Sequence, residues 1–322
     1  GGTLPTATWA TTSTCRVSGI TNTDMTTIGS DPSFGNFVWD CPSQSGPIRL
    51  TSSTVTITVK GSMSVQKTNG QPLQLTASTV SPVLKIEGNF TIGDGTDATI
   101  FDLNGGGNQN STVNLAGNLS VLNPAIIQNT STKVGTFNFG YAGATGSTPV
   151  NWTGNGIYTN TYIDYVIQNV PAGKTVNLGT LRTNQIDISA SRFLTVNSGA
   201  TLNCSDQTIT GAGTLLLQAG GILGIGHLNG INGNLTTATQ TLNATGAGTT
   251  FVYNGAAAQV SGTNLPAIIS NLKINNSNGV TLSSSVEASN SLSMTQGDVT
   301  TGANTLFLSN PLVSSLLYSS GN

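Results

Sequence analysis

Charge is what this 322-residue chain has least of. Lys and Arg total 10 and Asp and Glu 12, so charged residues make up 7% of the sequence, against about a quarter in ordinary soluble domains. The net charge of −2 removes any electrostatic case for binding nucleic acid or an anionic membrane surface. Long apolar runs are missing too. The stretch "GTLLLQAGGILGIG" is interrupted by glycine, well short of a membrane-spanning helix, so insertion into a bilayer is not expected. No window sustains the i, i+3, i+4, i+7 apolar spacing of an amphipathic helix. There is one histidine, His227, in "GIGHLNG". A Ser-His-Asp set would have to use it, and no G-x-S-x-G elbow accompanies it. It reads as a turn histidine in a glycine-rich corner. Three cysteines without a C-x-x-C or a His/Cys cluster give no metal site.

What the chain does have is alternation. From Val55 to Val65 in "STVTITVKGSMSV" every second residue is apolar or glycine, the pattern of a strand with one dry and one wet face. A seven-residue motif recurs: "VKGSMSV" at 59, "IEGNFTI" at 86, "LAGNLSV" at 115, "INGNLTT" at 231 and "ASNSLSM" at 288. The steps approximate multiples of a unit of about 28 residues. A looser copy, "SGATLNC", puts Cys204 where the other copies carry Val65, Ile92 and Val121, which makes it a buried strand residue. Units this short cannot bury their own apolar face and must stack on their neighbours. The expected fold is all-β, a parallel β-helix: an irregular N-terminal cap over residues 1–36, then a solenoid of roughly 28-residue coils over 37–322. Glycine and asparagine suit its corners, and its open strand edges need covering.

Cys15 and Cys41, both in the N-terminal segment, are expected to pair as a disulfide, which would place the chain in an oxidising compartment. Two separate buried thiols are the other reading.

The opening "TWATTSTCRVSGIT…SFGNFVWDCPSQSGPIRL" resembles the start of modules in very large secreted surface proteins of Bacteroidota-type bacteria. The matching positions are Trp9, Cys15, Gly19, Phe34, Asn36, Phe37, Trp39 and Cys41. The closing stretch from "GTNLPAIISNLKINN" onward is similar to the end of such modules. This resemblance implies export by type IX secretion, a secreted or cell-surface location, and an adhesin-like or filament role; the lack of a catalytic set in the residues gives the expectation that the chain is not an enzyme. Stacking end to end would cover the open strand edges, so neighbouring copies or modules are the expected partners. The "GGTLPTATWA" start fits a mature chain, a processed product or an excised module.

Three groups of residues invite chemistry. Asp94, Asp97 and Asp102 in "IGDGTDATIFD" form an oxygen-rich, glycine-rich turn of a kind that can hold Ca²⁺, or simply a solvated Asp-Gly turn. Asp164, Asp187 and Asp206 are spaced by nearly one coil each. They could stack into an acidic patch of the sort that β-helical polysaccharide-degrading enzymes use, though wet-face strand residues need no such explanation. Rows of Thr, Ser and Asn would form ladders of neutral donors and acceptors suited to surface glycans, or would only keep the molecule in solution. Nine Asn-x-Ser/Thr sequons follow from composition. The primary expectation is a structural or adhesive surface module, with a carbohydrate-binding or polysaccharide-degrading β-helix as the alternative.

Overall fold

The structure, a computed structural model, describes residues 7–21, 32–146, 148–159, 161–181 and 185–320. The chain is all-β, built as a parallel β-solenoid. Among the described residues the only helical elements are the single turns Ile231–Asn234 and Val313–Ser315. It divides into two compact units, one of Gly1–Val166 with Thr180–Thr183, the other of Ile167–Gly179 with Asn184–Asn322.

In the first unit the coils lay short strands on three faces. The first face carries Thr14–Ser18, Asn36–Asp40, Met63–Lys67, Phe90–Ile92, Leu119–Val121 and Val150–Gly154. The second carries Ser33–Phe34, Thr56–Val59, Val83–Ile86, Ser111–Leu115, Gly135–Phe139 and Ile163–Ile167. The third carries Ile48–Arg49, Pro72–Gln74, Ile100–Asp102, Ile126–Gln128 and Ile157–Thr159. All pairings are parallel, as expected when successive coils run in the same sense.

The alternation over 55–65 is two strands, not one. The chain turns at Lys60–Ser62, and the inward set Ile57, Val59, Met63, Val65 stays buried across the corner. Three copies of the seven-residue motif then lie directly above one another. Val59 pairs with Ile86 and Ile86 with Leu115, while Met63, Phe90 and Leu119 form the next column and Val65, Ile92 and Val121 the one after. "FGNFVW" is a further copy one residue shorter, with Phe34 opposite Val59, Phe37 opposite Met63 and Trp39 opposite Val65.

The motif's glycine is required by space. At Gly88 a Cβ would lie 2.6 Å from the carbonyl oxygen of Gly61, and at Gly117 it would run into that of Gly88. The close approach is used: Gly61 N–H donates to Gly35 O (2.7 Å), Gly88 N–H to Gly61 O (2.8 Å), and Gly117 N–H to Gly88 O (3.1 Å). The next residue ties each coil to the one above. Asn36 Oδ1 accepts from Ser62 N–H (2.8 Å), Ser62 Oγ from Asn89 N–H (3.1 Å), Asn89 Oδ1 from Asn118 N–H (2.9 Å), and Asn118 Oδ1 from Asn151 N–H (2.7 Å). Thus "apolar-x-Gly-Asn-apolar" is a complete corner: a side-chain-free contact, an amide cap and two core residues.

The second unit repeats the principle with shorter coils. Its inner column runs Val176, Leu202, Leu223, Phe251, Leu272, Leu292. Steps along it are 26, 21, 28, 21 and 20 residues, against 26, 27, 29 and 33 from Phe37 through Met63, Phe90 and Leu119 to Trp152 in the first unit. Coil length therefore varies, and a fixed 28-residue unit does not describe the chain. The "INGNLTT" copy at 231 is not a corner strand: Ile231–Asn234 is a helical turn entered through Gly230 at φ 63°. Of the segment 1–36, residues 1–6 and 22–31 lie outside the described residues. Within the rest, Thr14–Ser18 is already in register with Asn36–Asp40, so the ladder starts before residue 37.

Candidate functional site

The register corrects the expected disulfide. Cys15, Cys41 and Cys204 are all free and buried. Cys15 stands opposite Phe37, so Cys41 lies four residues further along the neighbouring strand. At about 3.3 Å per residue that offset is about 13 Å, beyond the ~7 Å Cα limit for a disulfide. Cys41 instead sits with its Sγ 3.7 Å from Val17 O. Burial raises the pKa of both thiols. Cys204 is fully enclosed in the second unit's core, and burial pushes its thiol up to about 12. None of the three is placed as a reactive thiol.

The proposed Ca²⁺ loop is split. Asp94 and Asp97 do come together, but Lys67 Nζ is the cation between them, 3.4 Å from Asp94 Oδ2 and 2.6 Å from Asp97 Oδ2. Asp94 Oδ1 also accepts from Asp97 N–H (3.0 Å), Thr96 N–H (2.8 Å) and Thr96 Oγ1 (2.9 Å). Asp102 is elsewhere, at the end of a third-face strand and fully buried. Its carboxylate accepts from Asn104 N–H (3.0 Å), Thr130 N–H (3.2 Å), Thr130 Oγ1 (2.7 Å) and Gln128 Nε2 (3.4 Å), three of these from the next coil. It is a coil-to-coil tie, and burial raises its pKa although those donors oppose the rise. No cluster of three or more His, Cys, Asp or Glu able to hold a metal occurs among the described residues.

The Asp94 environment gives a pH prediction. The Asp97 and Thr96 amides, with Lys67, hold its carboxyl well below the usual carboxylate range. A lowered pKa contributes stability above the unfolded value near 3.8, lost as pH falls through the folded value. Native protein should therefore be more stable than Asp94→Asn at pH 7, and the gap should close on acidification below pH 3.8. Urea titrations of both proteins across that range would check it.

Asp164, Asp187 and Asp206 do not stack. Asp164 is on a second-face strand of the first unit. In the second unit, Asp187 is on the strand Gln185–Asp187, which pairs with Thr208–Thr210, and Asp206 is in the exposed turn after Thr201–Asn203. Counting residues cannot align side chains when coils differ in length. His227 sits in a turn: its Nδ1 accepts from Asn229 N–H (3.0 Å), and Gly233 packs against the ring with no room for a Cβ.

Two surfaces remain. The first is a row of neutral hydroxyls on the first unit's first face. Ser64, Thr91, Ser120 and Thr153 stand in register on four successive coils, all half-exposed. Elsewhere the expected amide ladders form but are spent internally. Asn138 Nδ2 donates to Asn114 Oδ1 (2.8 Å), Asn197 to Gln168 (2.8 Å) and Asn290 to Asn271 (2.7 Å).

The second surface is a groove of about 460 Å³ in the second unit, lined by Asn203, Asp206, Leu228, Asn254, Ala256 and Ala257. It exists because Gly224 and Gly226 bring no side chains to the coil between Asn203 and Asn254, and Asn254 Nδ2 reaches across to Asn203 Oδ1 (3.1 Å). Of its polar residues only Asp206 stands out in the sequence as a candidate for chemistry; Asn203, Ser205 and Asn254 are of residue types common throughout this chain.

Compared with family models, curated proteins and solved structures, the chain has no significant match.

Proposed function

We propose that this chain is a structural and adhesive module of a secreted, cell-surface protein, acting without catalysis. The observation that carries this reading is the hydroxyl row Ser64, Thr91, Ser120, Thr153 on a continuously hydrogen-bonded parallel sheet. Spaced by one coil, about 4.8 Å, these groups offer a regular series of neutral contacts to a polar surface. Each is weak, about 1 kcal/mol or less net, so their use lies in number and in a backing that does not yield. The scarcity of charge fits, since such contacts persist at high ionic strength. The resemblance of the opening motif supports a secreted location and type IX export.

End-to-end association belongs to the same reading. The strand Leu316–Tyr318 pairs with Val286–Gln296, and Leu312, Val313, Leu316, Leu317 and Tyr318 are exposed around it. Apolar side chains exposed beside a ladder strand can be covered by a strand of a neighbouring module or copy.

Beads coated with purified protein, drawn under flow over glycan-bearing bacterial or host surfaces, test the reading. Retention is expected to survive molar salt and to fall several-fold when Ser64, Thr91 and Ser120 are replaced together by Lys. Native beads that detach like uncoated ones would overturn the adhesive role. In electron micrographs, Val313→Lys with Leu317→Lys should abolish any chains of molecules seen with native protein.

A further inference from the structure

We infer that the groove between Asp206 and Asn254 is a binding site for a neutral sugar. This inference rests on the adhesive reading and names the ligand class it would use.

The argument starts from the direction of the amide chain on this face. Asn203 Nδ2 donates to Asn177 Oδ1 (3.2 Å), so Asn203 Oδ1 is left to accept and does so from Asn254 Nδ2 (3.1 Å). That fixes the Asn254 carboxamide with its NH₂ towards Asn203 and its Oδ1 turned away. This oxygen is buried and has no hydrogen-bond partner. Leaving an acceptor so costs about 1–3 kcal/mol, which a donor from a ligand would recover on a small turn of the carboxamide. Asp206 also lines the groove, exposed, its Oδ1 accepting from Gln207 Nε2. Asp206 and the Asn254 oxygen are acceptors, so a ligand must bring donors to them, while the Ser205 hydroxyl, also on the lining, can donate or accept.

Besides the Ser205 hydroxyl, the side chains of the remaining wall are apolar. Leu228 is 58% exposed, and the exposed Ala256 and Ala257 continue that surface. A volume of about 460 Å³ is within the roughly 300–1,000 Å³ usual for small-molecule sites. Several donors on a flat molecule with an apolar face describe a pyranose: its hydroxyls donate to Asp206 and Asn254 while ring C–H groups lie on Leu228 and Ala256. The single carboxylate disfavours acidic sugars by like-charge repulsion.

The test uses the whole chain and saturation-transfer NMR with methyl α-D-mannopyranoside, methyl β-D-galactopyranoside and methyl β-D-glucopyranoside, with methyl galacturonoside as the acidic comparison. At least one neutral glycoside should bind in the millimolar range. Asp206→Ala should weaken it by about tenfold, the loss of one hydrogen bond to a charged group. Ala256→Trp, which fills the groove from an exposed position, should abolish binding with the thermal melt unchanged. The galacturonoside should bind more weakly than the neutral sugars. Absence of binding by all three neutral glycosides would overturn the inference, as would binding indifferent to both substitutions, or calcium chloride binding through Asp206 in place of sugar. Flow retention separates this from the parent reading. Native beads that hold while no glycoside binds would sink the groove alone, and native beads that do not hold would sink the adhesive role.

Discussion

Gly88→Ala, the addition of one methyl group, should destabilise the first unit by about 3 kcal/mol or more. The sign is opposite to the usual one, since Gly→Ala at an unstrained position stabilises by about 0.4–1 kcal/mol through the unfolded chain. The reason is the stacking of corners. A Cβ on Gly88 would stand 2.6 Å from Gly61 O and 2.7 Å from Gly61 C, backbone atoms held by their own ladder bonds, so relief requires parting two coils. That would stretch the Gly88 N–H to Gly61 O bond and the Ser62 Oγ cap on Asn89 N–H together. Gly61→Ala is the graded control. The Cβ there runs chiefly into the Asn36 carboxamide, a side chain able to swing aside, with Gly35 O further off at 3.1 Å. Equilibrium urea unfolding should rank Gly88→Ala as clearly worse than Gly61→Ala. Equal, small losses would mean the corners are looser than the hydrogen bonds require.

The same corner shows how much of the fold was legible in the sequence. Glycine followed by Asn or Ser and an alternating apolar run reports a local physical need, and three copies written alike at 59, 86 and 115 lie one above another. Legibility fails where the need changes but the letters do not. "INGNLTT" has the same pattern, yet Asn234 is fully buried, its Oδ1 accepting from Gly226 and His227 N–H and its Nδ2 donating to Ser205 O and Gln207 O. There the asparagine plugs a helical turn instead of capping a neighbouring coil. Sites were less legible than strands because they depend on exact coil length. Cys15 and Cys41 are on adjacent coils but four places apart in register. Asp164, Asp187 and Asp206 have near-regular spacing, but coils of unequal length put them on different elements. The groove depends on glycines at 224 and 226, and absent side chains mark no position by themselves.

Trp152→Ala should cost about 4 kcal/mol, in the upper range for core truncations. Trp152 is fully buried and continues the column Phe37, Met63, Phe90, Leu119. The coil that delivers it is the longest of the first unit, 33 residues from Leu119. The indole packs against Phe139 (ring centroids 4.9 Å apart) and Tyr165 (4.7 Å), and these two rings also flank Phe137 at 5.3 and 6.1 Å. Removing it opens a void among aromatics whose planes are already tilted at 34–45° to one another, and rigid rings cannot collapse inward as aliphatic chains can. A second loss adds to the first. The indole Nε1–H donates to Tyr158 Oη (2.9 Å), which in turn lies 3.4 Å from Thr153 O. Trp152→Phe is the graded control: it keeps a six-membered ring in the cluster but loses the hydrogen bond and part of the indole's volume, so it should cost less than Ala, about 2 kcal/mol. Thr153 belongs to the hydroxyl row, so its placement depends on this buried tie. Trp152→Phe should therefore lower bead retention slightly while leaving glycoside binding in the second unit's groove unchanged. A Trp152→Ala protein as stable as native would show that the aromatic cluster is filler, not the anchor of the longest coil.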